Sequence, residues 1–454
     1  MKPVVAIIGR PNVGKSTLFN RLTRRKDAIV DDMPGVTRDR HYGDVVWDDY
    51  AFIAVDTGGF ITGDADIFAA HIRSQVEQAV AESDAVVLVL DGKFGLSPFD
   101  HDILKWLRTI QTPVFYAVNK IDGPEHEKKL YDFYALGLET LFSLSAEHGY
   151  GVSELMDALV KILPKSEDTG DQDGIRVAVV GRPNAGKSSL INRLIGQERM
   201  LVTDQPGTTR DAIDTLYQRQ GRTYRLIDTA GIRRKSKVDL KLEKFSIIKA
   251  LQSLDACDVA LIVLDTEKGI TDQDIKVAGY AYERGCGAIF LANKWDLADA
   301  KTLTPGKFTQ RLHESARYMQ HAPVLTVSAL TGLRINKIFP LVDNVYAQYT
   351  TRVGTGVLNR IINEATRRTE PPMHKGRRLK FYYTTQISEK PPTFVSFVNY
   401  PDAVHFSYQR YLLNQIRSET HLDMIPLRMN FRLRTGKIEF GQWKKNRSKK
   451  RSRP

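Results

Sequence analysis

The chain has 454 residues, 42% of them hydrophobic and 26% charged, and a formal net charge of +13. That length exceeds what one core organises and predicts two or three domains of ordinary globular composition. Two cysteines with no CxxC pair, and ten scattered histidines, argue against a disulfide framework or a zinc-binding spacing and read most simply as buried free thiols in a reducing compartment. The longest apolar runs, such as AVVLVL at 85–90, are strand-length and far short of a membrane span. With the first strand beginning at Val4, no signal peptide is expected, and a soluble cytoplasmic protein is the expectation.

In chain order, VVAIIG reads as a buried parallel strand, GRPNVGKST follows at Gly9 to Thr17, and STLFNRL reads as a helix. The same sentence returns as RVAVVG, GRPNAGKSS at Gly181 to Ser189, and SSLINRL. In G-x-x-x-x-G-K-[ST], Gly9 and Gly14, and again Gly181 and Gly186, let backbone approach a phosphate chain that a Cβ would keep away. The loop residues Arg10, Pro11, Asn12 and Val13, and their counterparts Arg182, Pro183, Asn184 and Ala185, supply amides aimed at the anion together with the helix N-terminus. Lys15 and Lys187 are placed to reach the β and γ phosphates, and Ser16 and Ser188 to put a hydroxyl on Mg²⁺.

The partner motifs keep their intervals. Thr37 in PGVTRD follows Gly9 by 28 residues, as Thr209 in PGTTRD follows Gly181; Asp56 and Asp228 each follow their threonine by 19. Identical intervals are what duplication of one domain leaves. Thr37 and Thr209 are placed to complete the Mg²⁺ shell, and Asp56 and Asp228 end apolar strands as a Walker B carboxylate does. In Asp56-Thr57-Gly58-Gly59-Phe60 and Asp228-Thr229-Ala230-Gly231-Ile232, the last glycine can offer its N–H to a γ phosphate, the device of a loop released on hydrolysis.

Base identity is carried by Asn119-Lys120-Ile121-Asp122 and Asn293-Lys294-Trp295-Asp296, each closing an apolar strand. A carboxylate only accepts hydrogen bonds, so Asp122 or Asp296 matches the two donors of guanine and is left unpaired by adenine. Ser145-Ala146 and Ser328-Ala329 follow as the last loop touching the base. Two binding sites for GTP or GDP are the expectation, with Lys15, Thr37, Lys187 and Thr209 as the residues closest to catalysis.

These motifs resemble the TrmE–Era–EngA–YihA–Septin group of translation-factor-class GTPases, and their duplication ahead of a small basic module is similar to that group's tandem bacterial members. The resemblance covers essentially the whole chain. It implies a ribosome-assembly factor acting on the large (50S) subunit through rRNA, with a KH-like third domain, expected as a monomer with no membrane or DNA partner. The commonest small-GTPase pattern has a water-orienting glutamine after DxxG; here Phe60 and Ile232 stand there, and neither can hydrogen-bond water. The resemblance implies instead a K⁺ ion beside the phosphates, held partly by Asn12 and Asn184. Slow, Mg²⁺-dependent and K⁺-stimulated intrinsic hydrolysis follows as the expectation, since transition-state charge still needs a stabiliser.

Punctuation divides the chain into a first GTPase domain (1–164), an acidic linker (165–174), a second GTPase domain (175–350), a KH-like basic domain (351–441) and a basic tail (442–454). The fold class expected is α/β, two tandem P-loop domains with mostly parallel sheets covered by helices, then a small α+β module. Residues 351–454 hold 22 Lys and Arg against 7 Asp and Glu, leaving 44 against 46 in residues 1–350. All the excess positive charge is therefore in the last hundred residues, the footprint of a polyphosphate partner.

That module reads helix, strand, strand, helix, strand. Its last strand, LRMNFRLR, alternates Leu427, Met429, Phe431 and Leu433, expected in the core, with Arg428, Asn430, Arg432 and Arg434, expected in solvent. It has no GxxG loop, the element with which KH domains clamp nucleotides, which points to backbone or shape recognition. The tail carries seven basic residues between Lys444 and Pro454, and Arg233, Arg234, Lys235 and Lys237 follow the second DxxG. A tRNA-modifying GTPase would show an added catalytic domain with reactive residues, and a membrane-associated one an amphipathic helix or acylation site; neither is seen in the sequence.

Overall fold

The computed structural model describes residues 2–23, 42–57, 76–77, 79–134, 136–138, 140–164, 174–196, 215–227, 247–299, 303–374 and 376–434. Thr37, Gly58 to Phe60, Thr209, Asp228 to Ile232, the basic cluster at 233–237, and the tail lie outside the described residues.

The first domain runs β1 (Val4–Ile8), α1 (Lys15–Thr23), β2 (Tyr42–Trp47), β3 (Tyr50–Asp56), β4 (Ala85–Asp91), α2 (Pro98–Leu107), β5 (Val114–Asn119), α3 (Tyr131–Tyr134), β6 (Leu141–Ser143) and α4 (Val152–Ile162). Its sheet has the order β2-β3-β1-β4-β5-β6, with β2 antiparallel to β3 and the remaining pairs parallel. Both faces are covered, so the central strands are apolar throughout. Val5 and Ile7 face one core with Val87, Val89 and the stripe Leu155, Met156, Leu159 of α4. Ala6 and Ile8 face the other with Leu88, Leu90, Leu104 and Leu107. The period of two along β1 decides which core each side chain joins.

The second domain repeats the design as β7 (Ile175–Val180), α5 (Lys187–Ile195), β8 (Thr215–Arg219), β9 (Arg222–Ile227), α6 (Ile247–Ala256), β10 (Val259–Asp265), α7 (Asp272–Arg284), β11 (Gly287–Asn293), α8 (Pro305–Ser315), β12 (Val324–Thr326) and α9 (Ile338–Tyr349). The sheet order β12-β11-β10-β7-β9-β8 is the first order read from its other edge. In both sheets the strand leading into the P-loop lies where the order reverses. That is where open parallel sheets form a crevice beyond their carboxyl ends.

The third module comprises α10 (Thr355–Arg368), a two-residue pair β13 (Met373–His374) and β14 (Arg377–Arg378), β15 (Phe381–Glu389), β16 (Pro392–Val398), α11 (Phe406–Thr420) and β17 (Arg428–Leu433). The α-β-β-α-β order is as the pattern predicts; the small β13–β14 pair is an addition. α10 buries Leu358, Ile361, Ile362 and Ala365, a single helical stripe. β16 pairs antiparallel with β15 and parallel with β17. Along β17 the expected alternation holds at Leu427 and Met429, which are buried, and at Arg428, Asn430 and Arg432, which are exposed. It fails at Leu433, expected in the core but 54% exposed: that residue ends the edge strand of its sheet. Arg434 just beyond it lies over the Tyr382 ring at 4.4 Å, a cation–π contact.

This module is tied to the second domain. Arg428 donates to the carbonyl of Glu283 at 2.5 Å, Lys390 pairs with the buried Asp258 at 3.6 Å, and Gln348 of α9 donates to Asp423 at 2.8 Å. His321, between α8 and β12, is enclosed there with its Nε2 lacking a hydrogen-bond partner among the described residues. Burial, reinforced by the charges of Arg417 and His313, lowers its pKa to about 3. The native protein then refuses a proton that the unfolded chain accepts below pH 6.5, so stability falls as pH drops from 6.5 toward 3, by up to about 1.4 kcal/mol per pH unit. Urea titrations at pH 7.5, 6 and 5 should show this extra loss in the parent chain and not in His321→Gln.

Candidate nucleotide-binding sites

Each P-loop is bent by residues in left-handed conformation: Asn12 (φ 66°) and Gly14 (φ 98°) in the first, Asn184 (φ 62°) and Gly186 (φ 93°) in the second. Val13 and Ala185 between them are fully buried, so each loop is pegged into its core. Lys15 opens α1, and its ammonium donates back to the carbonyl of Arg10 at 2.8 Å. Burial lowers its pKa, and the carboxylate of Asp56 partly offsets this. A phosphate arriving at that ammonium would complete its charge pairing.

In each domain one asparagine side chain reaches both the P-loop and the Ser-Ala loop. Asn119 Nδ2 donates to the carbonyl of Val13 at 2.7 Å, and its Oδ1 accepts from the Ala146 amide at 2.8 Å. Asn293 repeats both bonds, to Ala185 at 2.8 Å and from Ala329 at 3.0 Å. The asparagine read from sequence as a base contact is thus a staple between the P-loop and the Ser-Ala loop. Lys120 donates to the carbonyl of Asn12 at 2.9 Å and pairs with Asp91 at 2.6 Å; Lys294 pairs with Asp265 at 2.8 Å.

Asp122 and Asp296, at the ends of these motifs, are exposed. Ser145 Oγ donates to Asp122 Oδ1 at 2.8 Å, aiming the carboxylate while leaving its other oxygen for a donor pair. Ser328 is fully buried and accepts from the Thr331 amide at 3.1 Å. The two intervening residues part company. Ile121 is fully buried in the sheet's core, whereas Trp295 stacks edge-on against Phe308 at 5.9 Å.

At the phosphate end, Ser16 Oγ donates to Asp56 Oδ2 at 2.6 Å, and Thr57 donates to the carbonyl of Ile7 at 2.9 Å, locking the end of β3 to β1. A hydroxyl and a carboxylate in contact are hard oxygen donors, the set Mg²⁺ takes beside phosphates. Of the described residues, the Mg²⁺ candidates Ser16 and Asp56 are brought together; the equivalent Asp228, and both threonines, fall in segments outside the description.

Two carboxylate pairs were missed by sequence reasoning. Asp91 and Asp265 close β4 and β10 and hold the NKxD lysines. Burial alone would raise the Asp91 carboxyl, but Lys120 and the Phe94 and Lys93 amides outweigh it and hold its pKa below the ordinary value. Asp100 and Asp274 pair with the P-loop arginines, Arg10 at 3.2 Å and Arg182 at 3.6 Å. The signal existed: DGKFGLSPFD and DTEKGITDQD place two aspartates and a glycine at the same offsets in both halves.

A doubled sheet order, each copy carrying a lysine-bearing P-loop stapled to a guanine-type base loop, defines a tandem P-loop GTPase with an appended KH-like module. Known families agree. Residues 4–120 and 176–294 match the family described as "50S ribosome-binding GTPase", and residues 352–432 match "KH-domain-like of EngA bacterial GTPase enzymes, C-terminal". The chain is 55% identical to GTPase Der of Desulforapulum autotrophicum over 97% of its own length and 92% of that protein's. It is 49% identical to GTPase Der of Geotalea uraniireducens over 95% and 98%. The chain belongs to the GTPase Der (EngA) family and is a GTP-hydrolysing enzyme. No helix among the described residues is long and apolar enough to cross a membrane.

The staple dictates a prediction. A Cβ on Gly14 would collide with Asn119 Nδ2, and one on Gly186 with Asn293 Nδ2, at φ values that also cost about 1–2 kcal/mol for a side chain. Gly14→Ala and Gly186→Ala should each weaken GDP binding about tenfold or more at one site, read by titration with a fluorescent GDP analogue.

Proposed function

We propose that this protein is a GTP-controlled factor in assembly or stabilisation of the large ribosomal subunit, docking on rRNA through its third module. The observation that carries this reading is the segregation of charge: residues 351–454 hold 22 basic and 7 acidic residues, while residues 1–350 are near neutral. On the third module, Arg428, Arg432 and Arg434 occupy the exposed side of an edge strand. Arg428 also holds the Glu283 carbonyl, which leaves Arg432 and Arg434 as the guanidiniums best placed to meet a phosphate chain, and with no GxxG loop this favours backbone over base reading. We take the protein to act as a cytoplasmic monomer.

Both domains are taken as working nucleotide sites. In this reading Lys15 and Lys187 hold the β and γ phosphates, Asp122 and Asp296 select guanine, and Ser16 and Asp56, with Ser188 and Asp228, hold Mg²⁺ together with Thr37 and Thr209. Mg²⁺, when bound, neutralises charge on the β and γ oxygens. Asn12 and Asn184, exposed at the left-handed corners of their loops, are the residues that would help hold K⁺ where an arginine finger acts in other GTPases. With Phe60 and Ile232 in place of a glutamine, no side chain at that position orients water, and intrinsic turnover should be slow.

Two separately built sites imply separable losses. Lys15→Ala and Lys187→Ala should each halve the GDP bound per chain, measured by isothermal titration; a single substitution that empties both sites would overturn independence.

Ribosome docking is tested by co-sedimentation with 30S, 50S and 70S particles in GDP or a non-hydrolysable GTP analogue. Nucleotide-dependent binding to 50S that weakens in Arg432→Glu with Arg434→Glu, and falls steeply with salt, is the expected outcome. Absence of binding in every nucleotide state at low and physiological salt would overturn the proposal.

A further inference from the structure

The P-loop arginines are not explained by phosphate binding. Arg10 turns its guanidinium away from the loop's mouth to meet the N-terminus of α2: Nη2 donates to the carbonyl of Gly95 at 3.1 Å, and Nε lies 3.2 Å from Asp100 Oδ2. Asp100 is fully buried and is itself held by α2's capping box, accepting from the amide and hydroxyl of Ser97 at 2.9 Å each. Its second oxygen, Oδ1, has no hydrogen-bond partner among the described residues. A carboxylate kept dry with one oxygen unpaired costs stability, and such a cost in a native protein asks for a role.

The second domain repeats the arrangement with more complete burial. Arg182 is 9% exposed at its side chain and Asp274 1%, and their charged atoms are 3.6 Å apart. In both domains the segment begins with the aspartate that grips the NKxD lysine and ends, nine residues later, with the aspartate that faces the P-loop arginine. Gly95 and Gly269 make the same left-handed turn between them, at φ 73° and 71°.

The first domain shows what this segment touches. Its leading end acts through Lys120 on the carbonyl of Asn12. Its trailing end acts through the Arg10 side chain, and the Arg10 carbonyl receives the ammonium of Lys15. Both the left-handed corner of the P-loop and the phosphate-binding lysine are therefore braced from outside by one ten-residue segment.

We propose that Asp100 and Asp274 are positioning residues for GTP hydrolysis, acting through Arg10 and Arg182 to fix the P-loop backbone at the carbonyl on which the phosphate-binding lysine rests. Neither aspartate touches nucleotide in this assignment. Their effect is on the placement of Lys15 and Lys187 relative to charge that develops only in the transition state, where small misplacements are costly. Ground-state binding, carried by many amides and the base loop, should change little.

The test uses the full chain carrying Lys187→Ala, so that turnover reports the first site. Adding Asp100→Asn, which keeps shape and removes charge, should lower kcat at saturating GTP by about tenfold or more, with GDP affinity changed by less than about threefold. Arg10→Met should give a similar loss, and the two together no more than either alone, because the pair acts as a unit. Arg10→Lys, which keeps charge but lacks the fork that also reaches Gly95, should recover part of the rate. Should Asp100→Asn fail to fold, Asp274→Asn in a Lys15→Ala chain makes the same measurement in the other domain. The proposal is overturned if kcat stays within about twofold while only the melting temperature falls, if GDP affinity falls as far as kcat, or if the two losses simply multiply.

Discussion

The carboxamide of one asparagine holds each nucleotide site together. The P-loop, the NKxD loop and the Ser-Ala loop come from three places in the chain; backbone hydrogen bonds such as Ile121 to Leu144 and Trp295 to Val327 tie the last two together, and the asparagine side chain adds the P-loop. Asn119 and Asn293 supply a donor to the first and an acceptor to the last while belonging to the second. A side chain with one donor group and one acceptor on a planar frame does this; a carboxylate or an amine would lose half the connection. The staple also explains why Gly14 and Gly186 are glycine, since its amide fills the volume a Cβ would need. Loops fixed in this way lose little freedom when nucleotide binds, and that preorganisation is worth affinity.

Around this shared frame the two domains differ. The side chain of Lys15 is buried, whereas Lys187 is only half-buried, so the same ammonium begins from different desolvation in the two sites. In the bracing segment Phe94, 75% exposed and 5.5 Å from the Lys120 ammonium, corresponds to Lys268 in the second domain. An aromatic face stabilises a neighbouring cation and a lysine repels one. Duplication has therefore kept the geometry and varied the electrostatic surroundings of the two P-loops.

Much of this was legible in the sequence because phosphate and guanine constrain backbone and donor pattern tightly enough to leave residue types at fixed offsets. The sheets were legible for a related reason: strands covered on both faces, such as VVAIIG and AVVLVL, show unbroken apolar runs. Asp100 and Asp274 were not, because an aspartate three residues after a serine or threonine is an ordinary helix cap, and only the fold brings an arginine from ninety residues away against it. Leu433 failed for the opposite reason. Its alternation was correct, but burial of a strand's last residue depends on what lies beyond the sheet edge, and pattern holds no record of that.

Charge links the two halves of the molecule's design. Residues 1–350 are near neutral overall, so a triphosphate there would meet local amides and the P-loop lysines rather than a general positive field. Residues 351–454 reverse that balance, with 22 basic against 7 acidic residues, three of the basic ones, Arg428, Arg432 and Arg434, being exposed along β17 and just past its end. Affinity of such a module for a polyphosphate would fall steeply with salt and carry little sequence information by itself. Specificity would then have to come from geometry, from which phosphates the module can reach when it is anchored to the second domain through Arg428, Lys390 and Gln348. Two of those anchors, Arg428 and Lys390, grip a backbone carbonyl and a buried carboxylate, and the third, Gln348, meets the exposed Asp423. A module held at these points keeps its exposed arginines in a fixed relation to the second domain's backbone.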